Sequence, residues 1–293
     1  MLKRILSLRY HTIEPAGSGN LKKAERFYNV TPDEFKKQMS YLKDNGFETL
    51  TLSALLSIED ERDLPEKPVI LTFDDGHVSH YRTALPVLKG LRFGGIFFIV
   101  VDDVGRKNHM SWKRVRELRA KGMEIGSHSL NHINLQHASY QELIFQLKAS
   151  KKELEERLDE RILAFSIPTG LYSHRISDVA RGMGYKLVFT SFTGNITLYS
   201  NPHCLRRIGM RAEYTMDDFI SIVEMDTGFL VKRRVEQFAK NRLKSAIGLK
   251  GYERIKKAVI EKEETGRDAD EGGTSSGRTS SIELPKMQGA IHG

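Results

Sequence analysis

The apolar run Val69-Ile70-Leu71-Thr72-Phe73 stops abruptly at Asp74-Asp75-Gly76. A second short apolar run, Met123-Glu124-Ile125-Gly126, stops in the same way at Ser127-His128-Ser129-Leu130-Asn131-His132. Both read as strands that deliver charged or ligating residues at their carboxyl ends, where open and closed α/β sheets place their chemistry. One carboxylate with two histidines can hold a divalent metal, and a spare carboxylate can act as a base. These residue types in this pattern point to a metallohydrolase.

The rest of the chain supports a sheet with helical crossovers. Ile5–Tyr10, Val69–Phe73, Gly95–Val101, Ile162–Phe165, Lys186–Thr190 and Leu205–Ile208 read as strands from their apolar and β-branched content. Thr31-Pro32-Asp33-Glu34 opens a helix with a capping box, Phe35, Met39 and Leu42 share one of its faces, and Gly46 ends it. Further helices are expected over Leu52–Ile58, Tyr81–Lys89 (with Pro86 inside it), Ser111–Ala120, Ser139–Leu158, Ser173–Gly182 and Thr215–Met225. Strand and helix signals thus alternate, which favours parallel pairing.

Charge divides the molecule. The formal net charge is +8, yet eleven Lys/Arg oppose only three Glu between Leu230 and Lys262. Residues 229–262 therefore read as a basic amphipathic helical extension, able to rest on an anionic membrane or to pack by its apolar stripe. Residues 263–293 are dominated by Gly, Ser, Thr and charge and are expected to be disordered. That leaves 1–228 as the catalytic domain. The single cysteine, Cys204, excludes an intrachain disulfide and a Cys-rich zinc module. The apolar start around Leu6 is interrupted by Arg9 and reads as a first strand rather than a leader. The longest apolar run, Gly94–Val101, is too short to cross a bilayer. These features suggest a cytoplasmic protein that could sit peripherally at the inner membrane face, and nothing in the basic stretch reads as a nucleic-acid motif.

Thr72-Phe73-Asp74-Asp75-Gly76, then His128-Ser129-Leu130-Asn131-His132, then Phe165-Ser166-Ile167-Pro168-Thr169-Gly170 resemble the three motifs of the polysaccharide deacetylase family with a NodB-homology domain, in the family's order. The resemblance extends from about Ile5 to Asp226 and is nearest to the exopolysaccharide-associated type. It implies a distorted (β/α)7 barrel and removal of acetyl groups from N-acetylated, sometimes O-acetylated, sugars. By the same resemblance, Asp75, His128 and His132 would bind a divalent metal, usually Zn2+. Asp74 would be the base, and the backbone N–H of Thr169 would help hold the oxyanion.

Two departures stand out. Many relatives carry Arg at the position of Ser166, where it orients the catalytic carboxylate. The leucine-x-x-histidine motif that supplies the general acid is replaced by Leu205-Arg206-Arg207-Ile208-Gly209. His11, which follows Tyr10 as in the exopolysaccharide type, is the first candidate for the acid, with His203, His77 and His80 behind it. Each residue also has a plainer reading. Asp-Asp-Gly and Pro-Thr-Gly commonly form simple turns, Arg206 and Arg207 suit a solvated or carboxylate-paired role more than a clamp on an anionic sugar, and Trp112 suits the core more than a sugar platform.

Two functions follow from this sequence. The first is a metal-dependent hydrolase acting on an N-acetylated glycan or lipid-linked oligosaccharide. The second, motivated by the two departures, is a deacetylase-like protein that holds glycan with weak catalysis. The sequence leaves the sugar and the oligomeric state open.

Overall fold

The computed structural model describes residues 2–18, 21, 23–225, 228, 231 and 235. Its strands are β1 (Leu6–Tyr10), β2 (Thr12–Ile13), β3 (Asn29–Val30), β4 (Phe47–Thr49), β5 (Lys67–Phe73), β6 (Ile96–Ile99), β7 (Glu124–Ser127), β8 (Ala164–Ser166), β9 (Leu187–Phe189) and β10 (Ile208–Gly209). The α-helices are α1 (Lys23–Arg26), α2 (Pro32–Asp44), α3 (Leu52–Ser57), α4 (Leu85–Leu91), α5 (Trp112–Ala120), α6 (Tyr140–Leu158), α7 (His174–Gly182) and α8 (Met216–Val223). The basic extension of 229–262 and the tail of 263–293 lie outside the described residues, apart from Val231 and Val235. No helix among the described residues is long and apolar enough to cross a membrane.

Seven parallel strands run in the order β10-β1-β5-β6-β7-β8-β9, and β4 joins the start of β5. The chain entering β10 completes the ring. Leu205 N–H donates to the Val188 carbonyl at 2.8 Å, Thr190 N–H to the Leu205 carbonyl at 2.8 Å, and Arg207 N–H to the Phe192 carbonyl at 2.9 Å. The result is the expected distorted barrel.

Because successive side chains of a strand point to opposite faces, each strand feeds two cores. Leu6, Leu8, Leu71, Phe73, Phe97, Ile125, Phe165 and Val188 face the surrounding helices. Ile5, Ile70, Ile96, Phe98, Ala164, Leu187, Phe189 and Leu205 fill the barrel. Space inside is tight: a Cβ on Gly126 would sit 2.5 Å from the Phe98 ring, so only glycine lets β6 and β7 approach there.

Local signals placed most helices correctly. Thr31 and Glu34 form the capping box of α2, with Phe35, Met39 and Leu42 buried beneath it. Ser111, Ser139, Ser173 and Thr215 each cap the helix they precede.

Among the expected elements, two differ most. The helix expected over Tyr81–Lys89 is a wide π-helical turn, His80–Ala84, running into α4, where Leu85 N–H reaches the His80 carbonyl. Pro86 cannot donate to the carbonyl four residues back, so the ladder widens before it and the proline falls in the first turn of α4. The strand expected at Leu205–Ile208 is shifted to Ile208–Gly209, with Leu205 making only an isolated bridge to Phe189. Trp112 is half-buried against the core, with the Arg157 guanidinium 5.3 Å from its ring.

Candidate active site

Strand β5 ends by steering two neighbouring carboxylates in different directions. Asp74 N–H continues the ladder to the Tyr10 carbonyl at 2.9 Å, so Asp74 stays in the barrel. Asp75 (φ 76°) and Gly76 (φ 70°) then both adopt left-handed backbone, and the Asp75 carboxylate turns toward β7. On the facing loop Ser129 (φ 68°) and His132 (φ 59°) are also left-handed. That loop hangs from α6. The buried Gln146 side-chain oxygen accepts from Leu130 N–H and Asn131 N–H at 3.2 and 3.3 Å, and Ser129 Oγ accepts from His132 N–H at 3.1 Å.

Asp75, His128 and His132 are brought together, with one donor atom from each within 4.8 Å of the others. Asp75 Oδ1 lies 3.3 Å from His128 Nε2 and 3.4 Å from His132 Nε2, yet it is buried and makes no hydrogen bond. His128 Nδ1 is 2.8 Å from the Ser166 carbonyl. A carbonyl only accepts, so Nδ1 carries a proton, and the neutral ring then presents the Nε2 lone pair toward Asp75. A lone pair and a carboxylate oxygen facing each other without a proton suit a cation, and these three residues fit a divalent metal ion.

Electrostatics separate the two aspartates. Burial opposes ionisation of Asp75, but His128, His11 and His132 outweigh it and hold the carboxyl below its ordinary range. Burial likewise opposes ionisation of Asp74, and the charge of Arg207 overcomes it, helped by His128. Of the readings open for Arg207 (solvated, carboxylate-paired or a clamp on an anionic sugar), the structure shows the paired one, and the residue is buried. Nη1 donates to Asp74 Oδ1 at 2.7 Å and to Thr72 Oγ1 at 3.2 Å. Nη2 donates to Asp74 Oδ2 at 2.9 Å and to Ser166 Oγ at 2.8 Å, and Nε donates to the Thr190 carbonyl at 3.0 Å. All five guanidinium N–H groups thus have acceptors. Phe98 and Phe189 lie 5.6 and 5.8 Å from its central carbon. The guanidinium expected at the position of Ser166 therefore reaches the same carboxylate from the entry to β10, and the Ser166 hydroxyl joins both partners, donating to Asp74 Oδ2 at 3.3 Å. The signal for this was alternation: Leu205 fills the barrel, so Arg207, two residues on, points in too.

Among the histidines considered for the acid, His11 lies within electrostatic reach of Asp75 and Asp74. Burial and the nearby Arg9 push it down to about 3, so its imidazole is neutral at pH 7. Its ring stacks on Tyr28 at 4.6 Å, and its buried Nδ1 has no hydrogen-bond partner. His77 and His80 lie behind the site. His77 Nδ1 is 2.8 Å from Ser79 Oγ, and His80 Nε2 donates to the His11 carbonyl. His203 is held elsewhere, with Nε2 at 3.0 Å from the Tyr185 carbonyl. Thr169 (φ 60°) lies in the turn Pro168–Gly170, where a Cβ on Gly170 would fall 1.7 Å from Ser191 Oγ.

Fold and site together define a parallel-stranded (β/α)7-type barrel with a carboxylate–imidazole cluster at its mouth. The profile of the polysaccharide deacetylase family matches residues 61–188. The polysaccharide deacetylase-type protein YxkH of Bacillus subtilis (strain 168) is 30% identical over 202 residues, 69% of each chain. The poly-β-1,6-N-acetyl-D-glucosamine N-deacetylase of Staphylococcus aureus is 26% identical over 224 residues, 69% of this chain and 77% of that one. Among solved structures, the Streptococcus pyogenes deacetylase PplD, in complex with acetate, superposes with a TM-score of 0.68 at 25% identity, covering 76% of this chain and 99% of that one. IcaB from Ammonifex degensii gives 0.65 at 25% identity, covering 75% and 96%. The chain belongs to the polysaccharide deacetylase family, hydrolases that act on amide C–N bonds.

Proposed function

We propose that this protein removes the N-acetyl group from an N-acetylhexosamine unit of a polysaccharide or of its lipid-linked precursor. The observation that carries the reading is an ionised Asp74, clamped in two-point contact by Arg207, beside a separate three-residue cluster that fits a cation. Asp75, His128 and His132 would hold the ion, and two imidazole nitrogens with one carboxylate oxygen suit zinc. When bound, a divalent ion supplies a water of lowered pKa and polarises the acetyl carbonyl.

The chain's own groups do the rest. Asp74 accepts a proton from the attacking water, and the guanidinium clamp fixes the orientation of its carboxylate. The Thr169 backbone N–H donates to the oxygen that gains charge as the carbonyl carbon becomes tetrahedral. His11 takes up the proton that Asp74 has accepted and passes it to the departing sugar nitrogen. The C–N bond then breaks, giving acetate and a free amine. Because His11 rests neutral, it carries that proton transiently rather than storing it.

Acetate release from N-acetylated oligosaccharides tests the reading, with chelated protein, zinc-restored protein and Asp74→Asn compared. Release that returns with zinc and is lost in Asp74→Asn is expected. Wild-type release indistinguishable from Asp74→Asn would overturn it and leave a glycan-holding protein.

A further inference from the structure

One cation at the mouth has no assigned task. Arg9, in β1, pairs across the sheet with Thr72 on one side and Gly209 on the other. It therefore lies on the barrel-facing side, one layer below Asp74. Nη1 donates to Ser191 Oγ, and the guanidinium carbon sits 5.9 Å from the centre of the Tyr28 ring, which itself stacks on His11. Nε is buried and meets no acceptor. Among the described residues no carboxylate lies within ion-pair distance of Arg9. Asp74 is committed to Arg207, and Asp75 faces His128 and His132.

The backbone makes room for this side chain. A Cβ on Gly209 would stand 2.8 Å from Arg9 Nη2, so the glycine clears the guanidinium's position. The charge of Arg9 also reaches the site, because it opposes charge on both His11 and Arg207. A half-buried guanidinium with an unmet N–H and no counter-charge is an expensive element unless something arrives to complete it. A planar fork of N–H donors matches a carboxylate or a phosphate.

We propose that Arg9 is an anion-reading residue: it receives a carboxylate or phosphate group carried by the substrate close to the acetamido group, so the preferred glycan is acidic. This deepens the deacetylase reading and rests on it for the identity of the ligand as a glycan. The shared chemistry is an oxyanion substituent, supplied either by a uronate in the polymer or by the phosphate of a lipid-linked precursor.

Calorimetry on metal-stripped protein tests the proposal without turnover. Three N-acetylated disaccharides serve as probes: one neutral, one bearing a uronate and one bearing a phosphate monoester. Wild type is expected to bind at least one acidic probe ten-fold or more tightly than the neutral one, and the better probe identifies the source of the anion. Arg9→Gln should reduce that ratio to within two-fold, and Arg9→Lys should retain part of it. Gly209→Ala, which leaves the guanidinium intact but crowds it, should also lower the ratio. Equal or undetectable binding of all three probes by wild type overturns the proposal, as does an acidic preference that survives in Arg9→Gln. Acetate release separates the two readings. Release from neutral glycan without acidic preference removes the role of Arg9 and keeps the hydrolase; acidic preference without release does the reverse.

Discussion

The lower interior of the barrel and its mouth are built by the same strands, yet they are chemically opposite. Below, Ile5, Ile70, Ile96, Ala164, Leu187 and Leu205 pack as hydrocarbon. Further along β1, β5, β8 and the entry to β10, the same faces carry Ser7 and Arg9, Thr72 and Asp74, Ser166, and Arg207. The dry lower layer removes water from beneath the Asp74–Arg207 pair, so the pair is strong only because every donor of Arg207 is met. One layer holds the barrel closed. The next spends that rigidity on orienting charge.

Substitutions on either side of this boundary break or sharpen the comparison. Asp74→Asn removes the proposed base and strands a buried guanidinium. Acetate release is expected to fall about 10²- to 10⁴-fold, with about 3–5 kcal/mol lost from urea-unfolding stability. Near-normal release would abolish the division of labour between the layers. Leu187→Ala, in the lower layer, should cost about 2–5 kcal/mol through the cavity it opens. Turnover per folded molecule should change less than two-fold, and a parallel collapse of turnover would show that the layers are not separable.

His80 marks a third environment, outside the barrel wall between Phe73 and Phe97. Burial and His77 push it down to about 3, so the unfolded chain binds the extra proton below about pH 6.5. Its stabilising contribution is complete above that pH and is lost as pH falls toward 3, at about 1.4 kcal/mol per pH unit. Urea midpoints between pH 7 and pH 4 should slope less in His80→Asn; an unchanged slope refutes this. The smallest effect belongs to Ser166→Ala, which leaves the two-point clamp but removes one acceptor from Arg207, for about 1 kcal/mol and a few-fold drop in kcat/KM. A loss as large as that of Asp74→Asn would mean the hydroxyl, not the guanidinium, sets the carboxylate.

Much of the architecture was legible from local chemistry. The caps at Thr31, Ser111, Ser139, Ser173 and Thr215 and the apolar strand at Val69–Phe73 express themselves within a few residues. The clustering of Asp75, His128 and His132 was legible for a similar reason, because Asp75 and His128 sit just beyond strand ends and His132 follows in the same loop. What failed was information carried across the sheet. β2, β3 and β4 are two or three residues long and exist by pairing with distant chain. Strand β10 starts late because Arg207 is fixed by its bonds to Asp74 and to the Phe192 carbonyl rather than by strand propensity. The widened turn before Pro86 depended on a missing N–H whose consequence appears upstream of it.

The clamp on Asp74 has a consequence for how lineages of such proteins change. Asp74 is touched from two elements, Ser166 at the end of β8 and Arg207 at the entry to β10, and the planar cation reaches it from the second. A chain that carries serine on the first element can therefore still present a guanidinium to that carboxylate from the second. Alignments register the loss and miss the recovery, so a protein judged silent by a vacant column can keep the electrostatics that column once supplied.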